Sequence, residues 1–312
     1  MKFVQPQEVN GKELTSILSD LFNQTVKIHF KGPSDHHPII LLNGVKNILG
    51  DNREKPSQLL LDFTHDYIHS FPDRKDDETK WSDFTSQKNG LTVFTDEVEL
   101  AVMERQRKRA EGEIAKQISA SHHSMAILEL LAELAFHNMN ELGLFTFHWL
   151  RSFYFHQDVQ LLWPYSICML SEIFKARLTP VQEVIHYPPD KILPKVLDPL
   201  HLPILPLFSV TCRLWDGDYV RIKSFKKAIS GWCSNQNINP TTGGSTSYAD
   251  IVNYIQNGGT YFIDLGERII RTFYQNEAIN KMIQLEALRG LVKISGQESL
   301  PQIANCINFV MK

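Results

Sequence analysis

Apolar residues recur at helical spacing over most of this chain, with one segment near the N-terminus that alternates instead. Leu14, Ile17, Leu18, Leu21 and Phe22 fall on one stripe and predict a short amphipathic helix over 11–22. Thr25-Val26-Lys27-Ile28-His29-Phe30 alternates apolar and polar side chains, which predicts an extended or strand segment. Gly32-Pro33-Ser34-Asp35 then signals a turn. Residues 39–42 and 58–71 are apolar enough to pack, the second stretch as a helix. From 72 the chain turns polar, with Asp73-Arg74-Lys75-Asp76-Asp77-Glu78 at the centre of an expected exposed linker. The pattern divides the chain into a small mixed N-terminal region (1–71), a charged linker (72–94) and a helical region (95–312).

The helical region opens at Thr95-Asp96, where Glu97 and Glu99 suit the positive end of a helix. The first helix there mixes Glu104, Arg105, Arg107, Lys108, Arg109, Glu111 and Glu113, the pattern of a solvated face laced with i,i+4 pairs. Apolar helices are predicted over 125–139, 144–155 and 159–174. Seven prolines between 180 and 206 make the following helices short or proline-initiated. Further helices are expected near 204–210 and over 219–232, 248–256, 261–274, 279–294 and 299–311, with a loop at 234–247. The predicted class is mainly α, built from stacked antiparallel helical hairpins.

Near the C-terminus, Met282-Ile283-Gln284-Leu285-Glu286-Ala287-Leu288-Arg289-Gly290-Leu291-Val292-Lys293-Ile294-Ser295-Gly296 precedes Ser299-Leu300-Pro301-Gln302-Ile303-Ala304-Asn305-Cys306-Ile307. An Ala-Leu-x-x-Leu helix, a glycine turn and a second helix resemble one unit of a HEAT or armadillo array, whose period is ~40–47 residues. The resemblance covers about one repeat, and the proline-rich middle departs from it. It implies an α-solenoid with an extended surface that recognises other macromolecules.

Composition narrows the function classes. A hydrophobic fraction of 43% with 21% charged residues belongs to a folded chain able to build a large core. With 35 acidic and 32 basic residues the net charge is −3, and a general nucleic-acid coat ordinarily carries a basic excess. Cys168, Cys212, Cys233 and Cys306 form no CxxC pair and suit reduced, buried thiols. No stretch approaches the ~20 apolar residues of a membrane span, and Met1-Lys2-Phe3-Val4-Gln5-Pro6 lacks a signal-peptide run, so the expected setting is cytoplasmic.

Candidate chemistry is sparse. Asp62-x-x-His65-Asp66-x-x-His69 puts two imidazoles at i,i+4, a spacing able to reach one metal, and makes a metal-dependent hydrolase using His65, Asp66 and His69 the third-ranked reading. A solvated helix face accounts for the same residues. The doublets His36-His37 and His122-His123 point in divergent directions and are poor bidentate ligands. Thr241-Thr242-Gly243-Gly244-Ser245-Thr246-Ser247 lacks the lysine of a phosphate-binding loop. No catalytic residue, metal ligand or cofactor is assigned.

The densest aromatic cluster runs from Phe145 to Tyr165, and it packs a core or exposes an interaction hot spot. Trp149, Arg151, Phe153 and Tyr154, with Phe309 on the last helix, are the candidate protein-binding residues. The leading expectation is a non-catalytic scaffold or adaptor for a protein partner. The second is an α-helical RNA-binding, nucleocapsid-like protein using Arg105, Arg107, Lys223, Lys226 and Lys227.

Overall fold

The computed structural model describes residues 11–86, 94–180, 185–238 and 247–312. Helices dominate, and among the described residues no strand forms. The first helix, α1 (Gly11–Thr25), runs past its expected end, and the Thr25 hydroxyl bonds back to the Leu21 carbonyl at 2.6 Å. The alternating segment that follows is not a strand. It makes a single antiparallel bridge, Ile28 to Asp73, with His29 N–H donating to the Pro72 carbonyl at 2.6 Å and Arg74 N–H to that of Lys27 at 2.7 Å. Alternation here buries Val26 and Ile28 while the chain crosses the core, and an isolated pair of extended segments has no sheet to sustain it.

Helices α2 (Pro38–Leu49) and α3 (Gln58–His69) follow. His37 caps α2 by accepting the Ile39 N–H, and Ser57 caps α3 by accepting that of Leu60. The stretch expected to be an exposed linker instead carries α4 (Asp77–Thr85), packed on later helices. Its anchor is Arg74, whose side chain is only 10% exposed. That guanidinium pairs with Asp77 at 2.7 Å and donates to the carbonyls of Ile28 at 3.1 Å and Val26 at 2.7 Å. Trp81 and Phe84 lean on Trp163, whose indole N–H donates to the Asp77 carbonyl at 2.8 Å.

A charged corner separates α5 (Thr95–Met103) from α6 (Arg107–Ala120), where one continuous helix was expected to begin. The break falls at Arg105, which adopts a left-handed φ of 60°. Its guanidinium donates to the carbonyls of Ile173 (3.0 Å), Ala176 (2.9 Å) and Phe174, closing the C-terminus of α9 (Leu162–Ile173). Orphan carbonyls at a helix end need such donors.

Helices α7 (Ala126–Ala135) and α8 (Met139–His156) form the aromatic centre with α9. The chain continues through the short α10 (Leu193–Val196), then α11 (Leu205–Trp215), α12 (Ile222–Ser234), α13 (Ala249–Asn257), α14 (Tyr261–Thr272), α15 (Gln275–Ile294) and α16 (Leu300–Val310). The C-terminal pair α15 and α16 packs together across Gly296, as the Ala-Leu-x-x-Leu pattern predicts. α15 also lies against α11, and a Cβ at Gly290 would meet Ser209 Oγ at 3.0 Å, so a larger residue there would have to displace that side chain.

α2 packs against both α8 and α15. Residues assigned by pattern to a separate N-terminal region therefore share one continuous apolar core with the rest of the described chain. This contact between helices far apart in sequence departs from the nearest-neighbour stacking of a linear array.

A basic cleft between α1, α2, α8 and α15

Three apolar helices each carry a polar stripe at helical spacing. On α2 it is Asn43, Lys46 and Asn47, on α8 His148, Arg151 and Tyr154, and on α15 Glu286, Arg289 and Lys293. Because α2 packs on α8 and α15, these stripes converge. The convergence has a buried layer and an open one.

The buried layer centres on Glu286, 1% exposed. Arg213 of α11 grips it at 2.7 Å and 3.1 Å through both terminal nitrogens, and Asn47 donates to it at 2.7 Å. Burial alone would raise the pKa of this carboxyl; the Arg213 charge and the hydrogen bonds outweigh it and pull it down to about 2. Beside it, Asn43 Nδ2 donates to Nδ1 of His148 at 2.8 Å, an assignment that puts the ring proton on Nε2. Burial drives the His148 pKa down to about 3, so the ring is neutral.

Asp51, just past α2, forms a second anchor. Its carboxylate accepts from Arg289 Nε at 2.7 Å, Lys293 Nζ at 3.0 Å and Tyr254 OH at 2.9 Å. Burial pushes this carboxyl up, and the hydrogen bonds with the Arg289 charge win and hold it below the ordinary range.

Above these anchors lies a cleft of about 510 Å³. α1 supplies an apolar rim through Leu14 and Leu18, and α8 contributes Tyr154 and Phe155. Lys46, Arg53, Arg151, Arg289 and Lys293 all line it, and among the described residues no aspartate or glutamate does. Arg289 and Lys293 are countered from behind by Asp51, whereas Arg53 and Arg151 are exposed and enter no ion pair among the described residues. Lys46 Nζ sits 5.2 Å from the centroid of Phe155 with no hydrogen-bond acceptor among the described residues. Burial, reinforced by Arg151 and opposed by Glu286, brings its pKa down to about 7. Such a cleft stabilises negative charge. A larger hollow of about 890 Å³ beside Arg74 and Trp163 mixes Asp73, Asp76, Asp77, Glu78 and Asp158 with Lys27, Arg74 and Lys75, so it carries no single sign.

The candidate contact residues separate. Arg151 and Tyr154 line the cleft, with the Tyr154 hydroxyl donating to Glu129 at 3.1 Å. Trp149 and Phe153 are fully buried and present nothing to a partner; Trp149 Nε1 donates to the Tyr165 carbonyl at 3.1 Å. An amphipathic aromatic helix at the centre of a core requires both, so their assignment to a contact surface is corrected. Phe309 is 45% exposed on α16 and lies outside the cleft lining. Lys46, Arg53, Arg289 and Lys293 were not singled out by sequence, although the spacing of Lys46, Arg289 and Lys293 on apolar helices was an available signal; Arg53, in the turn after α2, had none.

His65 and His69 stack at 3.8 Å on the exposed face of α3, and His69 Nδ1 bonds the His65 carbonyl at 2.8 Å. Among the described residues no three His, Cys, Asp or Glu side chains gather as metal ligands. His37 is a buried helix cap between Phe30 and Phe145, and His122 and His123 take left-handed φ values in the turn after α6. The basic run of α6 is engaged internally. Arg107 pairs with Glu111 at 3.0 Å, and Arg109 pairs with Glu97 and Glu104. The glycine-containing segment 241–246 lies outside the described residues. Comparisons with family models, with curated proteins and with solved structures find no match to this chain.

Proposed function

We propose that this protein is a non-catalytic, HEAT- or armadillo-like interaction protein that receives an anionic group of a protein partner in the basic cleft. One observation carries the reading: among the described residues, five cations and no carboxylate line a single concavity. Two of them, Arg53 and Arg151, stand unengaged at its mouth among the described residues. Arginine forks suit carboxylate and phosphate oxygens, and arginine and tyrosine are among the residue types that dominate binding energetics where a partner buries them. The α15–α16 hairpin supports the helical-array reading. A cytoplasmic setting belongs to the same proposal. The four thiols are free, and burial pushes those of Cys168, Cys212, Cys233 and Cys306 up to about 12, where they resist oxidation.

The RNA-binding alternative is less favoured, because Arg105 and Arg107 are spent on α9 carbonyls and Glu111. Fluorescence anisotropy with a labelled glutamate-rich peptide tests the proposal. The wild-type chain binds it, and the Arg53→Ala/Arg151→Ala double variant binds at least ~10-fold more weakly, a loss of about 1.4 kcal/mol or more. Equal binding by the two proteins overturns the assignment of the cleft.

A further inference from the structure

We propose that the group recognised in this cleft is a phosphate monoester, carried on a phosphorylated side chain of the partner. The inference rests on the anion-binding reading above and specifies its chemistry. Charge matching favours a dianion over a single carboxylate. Asp51 already answers Arg289 and Lys293, and Glu286 answers Arg213. Lys46, Arg53 and Arg151 are left lining the same space without an ion pair among the described residues. One carboxylate leaves most of that charge unanswered, whereas a phosphate brings about −1.5 to −2 at neutral pH and three acceptor oxygens.

The donor set matches those oxygens in kind. Arg53 and Arg151 offer planar forks suited to two oxygens each, and Lys46 offers a compact ammonium from below. Shape argues against a nucleic-acid backbone. The cleft is one concavity of about 510 Å³ closed on one side by Leu14 and Leu18, and a diester chain needs a basic track that continues. The lysine fits the same picture: its depressed proton affinity reflects burial among cations, and an arriving dianion restores the charged form.

The test uses the whole chain and a neutral Gly/Ala peptide carrying one phosphoserine, with its serine and glutamate counterparts. Isothermal titration at pH 7 is expected to show the phosphopeptide binding at least 100-fold more tightly than the serine form and 10-fold more tightly than the glutamate form. Arg53→Ala and Arg151→Ala each weaken it by about tenfold. Both side chains are exposed, so the thermal midpoints of these variants stay at the wild-type value and report intact folding. Inorganic phosphate and glucose 6-phosphate serve as competitors. Displacement that needs a large excess of either supports a phosphorylated partner. Binding of either as tight as that of the phosphopeptide keeps the phosphate assignment and overturns the partner-borne source.

Equal affinity for the glutamate and phosphoserine peptides overturns the phosphate inference and leaves the anion-binding reading standing. Failure of all anionic peptides and of phosphate overturns both. Tighter binding of a 12-nucleotide RNA without terminal phosphates, lost steeply with salt, overturns both in favour of nucleic acid.

Discussion

Glu286 and Lys46 both have folded-state pKa values below their ordinary ones, so each makes stability rise with pH, in separate windows. The folded-state pKa of Glu286 is depressed to about 2, so its pairing stabilises the fold above the ordinary carboxylate range. That stability is lost as pH falls from about 4.5 toward 2. Removing one partner of a buried pair strands the other, so Glu286→Ala is expected to cost about 3–5 kcal/mol at pH 7 by urea denaturation. The difference from wild type should shrink across the same acid window.

Lys46 shares the direction of that pH dependence but costs stability at pH 7, where Glu286 contributes it. Its folded pKa of about 7 lies below the unfolded value of 10.5, so the unfolded chain binds more protons between those limits and stability rises with pH through them. Lys46→Met is therefore expected to raise the urea midpoint at pH 7 while weakening anion binding, with the gain shrinking as pH approaches 10.5. Equal midpoints at pH 7 would contradict this account. A stabilising substitution that costs function is the usual mark of a strained site.

At the scale of elements, charge in the sequence misled wherever an arginine does the work of a backbone partner. Arg74 and Arg105 both sit in charged runs that predict solvated chain, yet each satisfies carbonyls from distant segments. Local pattern does not encode that pairing, because the acceptors lie 46 to 90 residues away. Arg105→Ala is expected to loosen the end of α9 and the α5–α6 corner at a cost of about 2–3 kcal/mol, as charge-assisted hydrogen bonds are lost and buried carbonyls stranded. Hydrogen exchange should rise at Phe174 and Ala176 and stay unchanged in α15; uniform exchange with no loss of stability would refute the capping role. The apolar periodicities of α2, α7, α8 and α15 were legible because burial of a stripe is a local property of a helix. The strand at 25–30 was misjudged for the complementary reason: alternation describes a buried extended crossing as well as a paired strand.

For the whole molecule, the deciding contact is α2 against α15, which no local pattern announces. It brings Asn47 to Glu286 and Asp51 to Arg289, pairs 239 and 238 residues apart. It also assembles the cleft from both ends of the described chain, so half of the candidate site was out of reach of sequence. Arg151 and Tyr154 were found from residue type alone, whereas Lys46, Arg53, Arg289 and Lys293 gain meaning only from the packing. A site built from such distant helices couples ligand to global stability. Phosphate at a hundred times its dissociation constant is expected to stabilise the wild-type fold by about 2.7 kcal/mol and the Arg53→Ala/Arg151→Ala variant by much less.

The most direct measurement is a crystal structure of the whole chain soaked in sodium tungstate, a tetrahedral dianion located by its anomalous signal. The account predicts a tungsten peak between α1, α2, α8 and α15, with oxygens in hydrogen-bond reach of Arg151, Arg53 and Lys46. Tungstate bound elsewhere on the surface, with the cleft open to solvent and holding none, would contradict it.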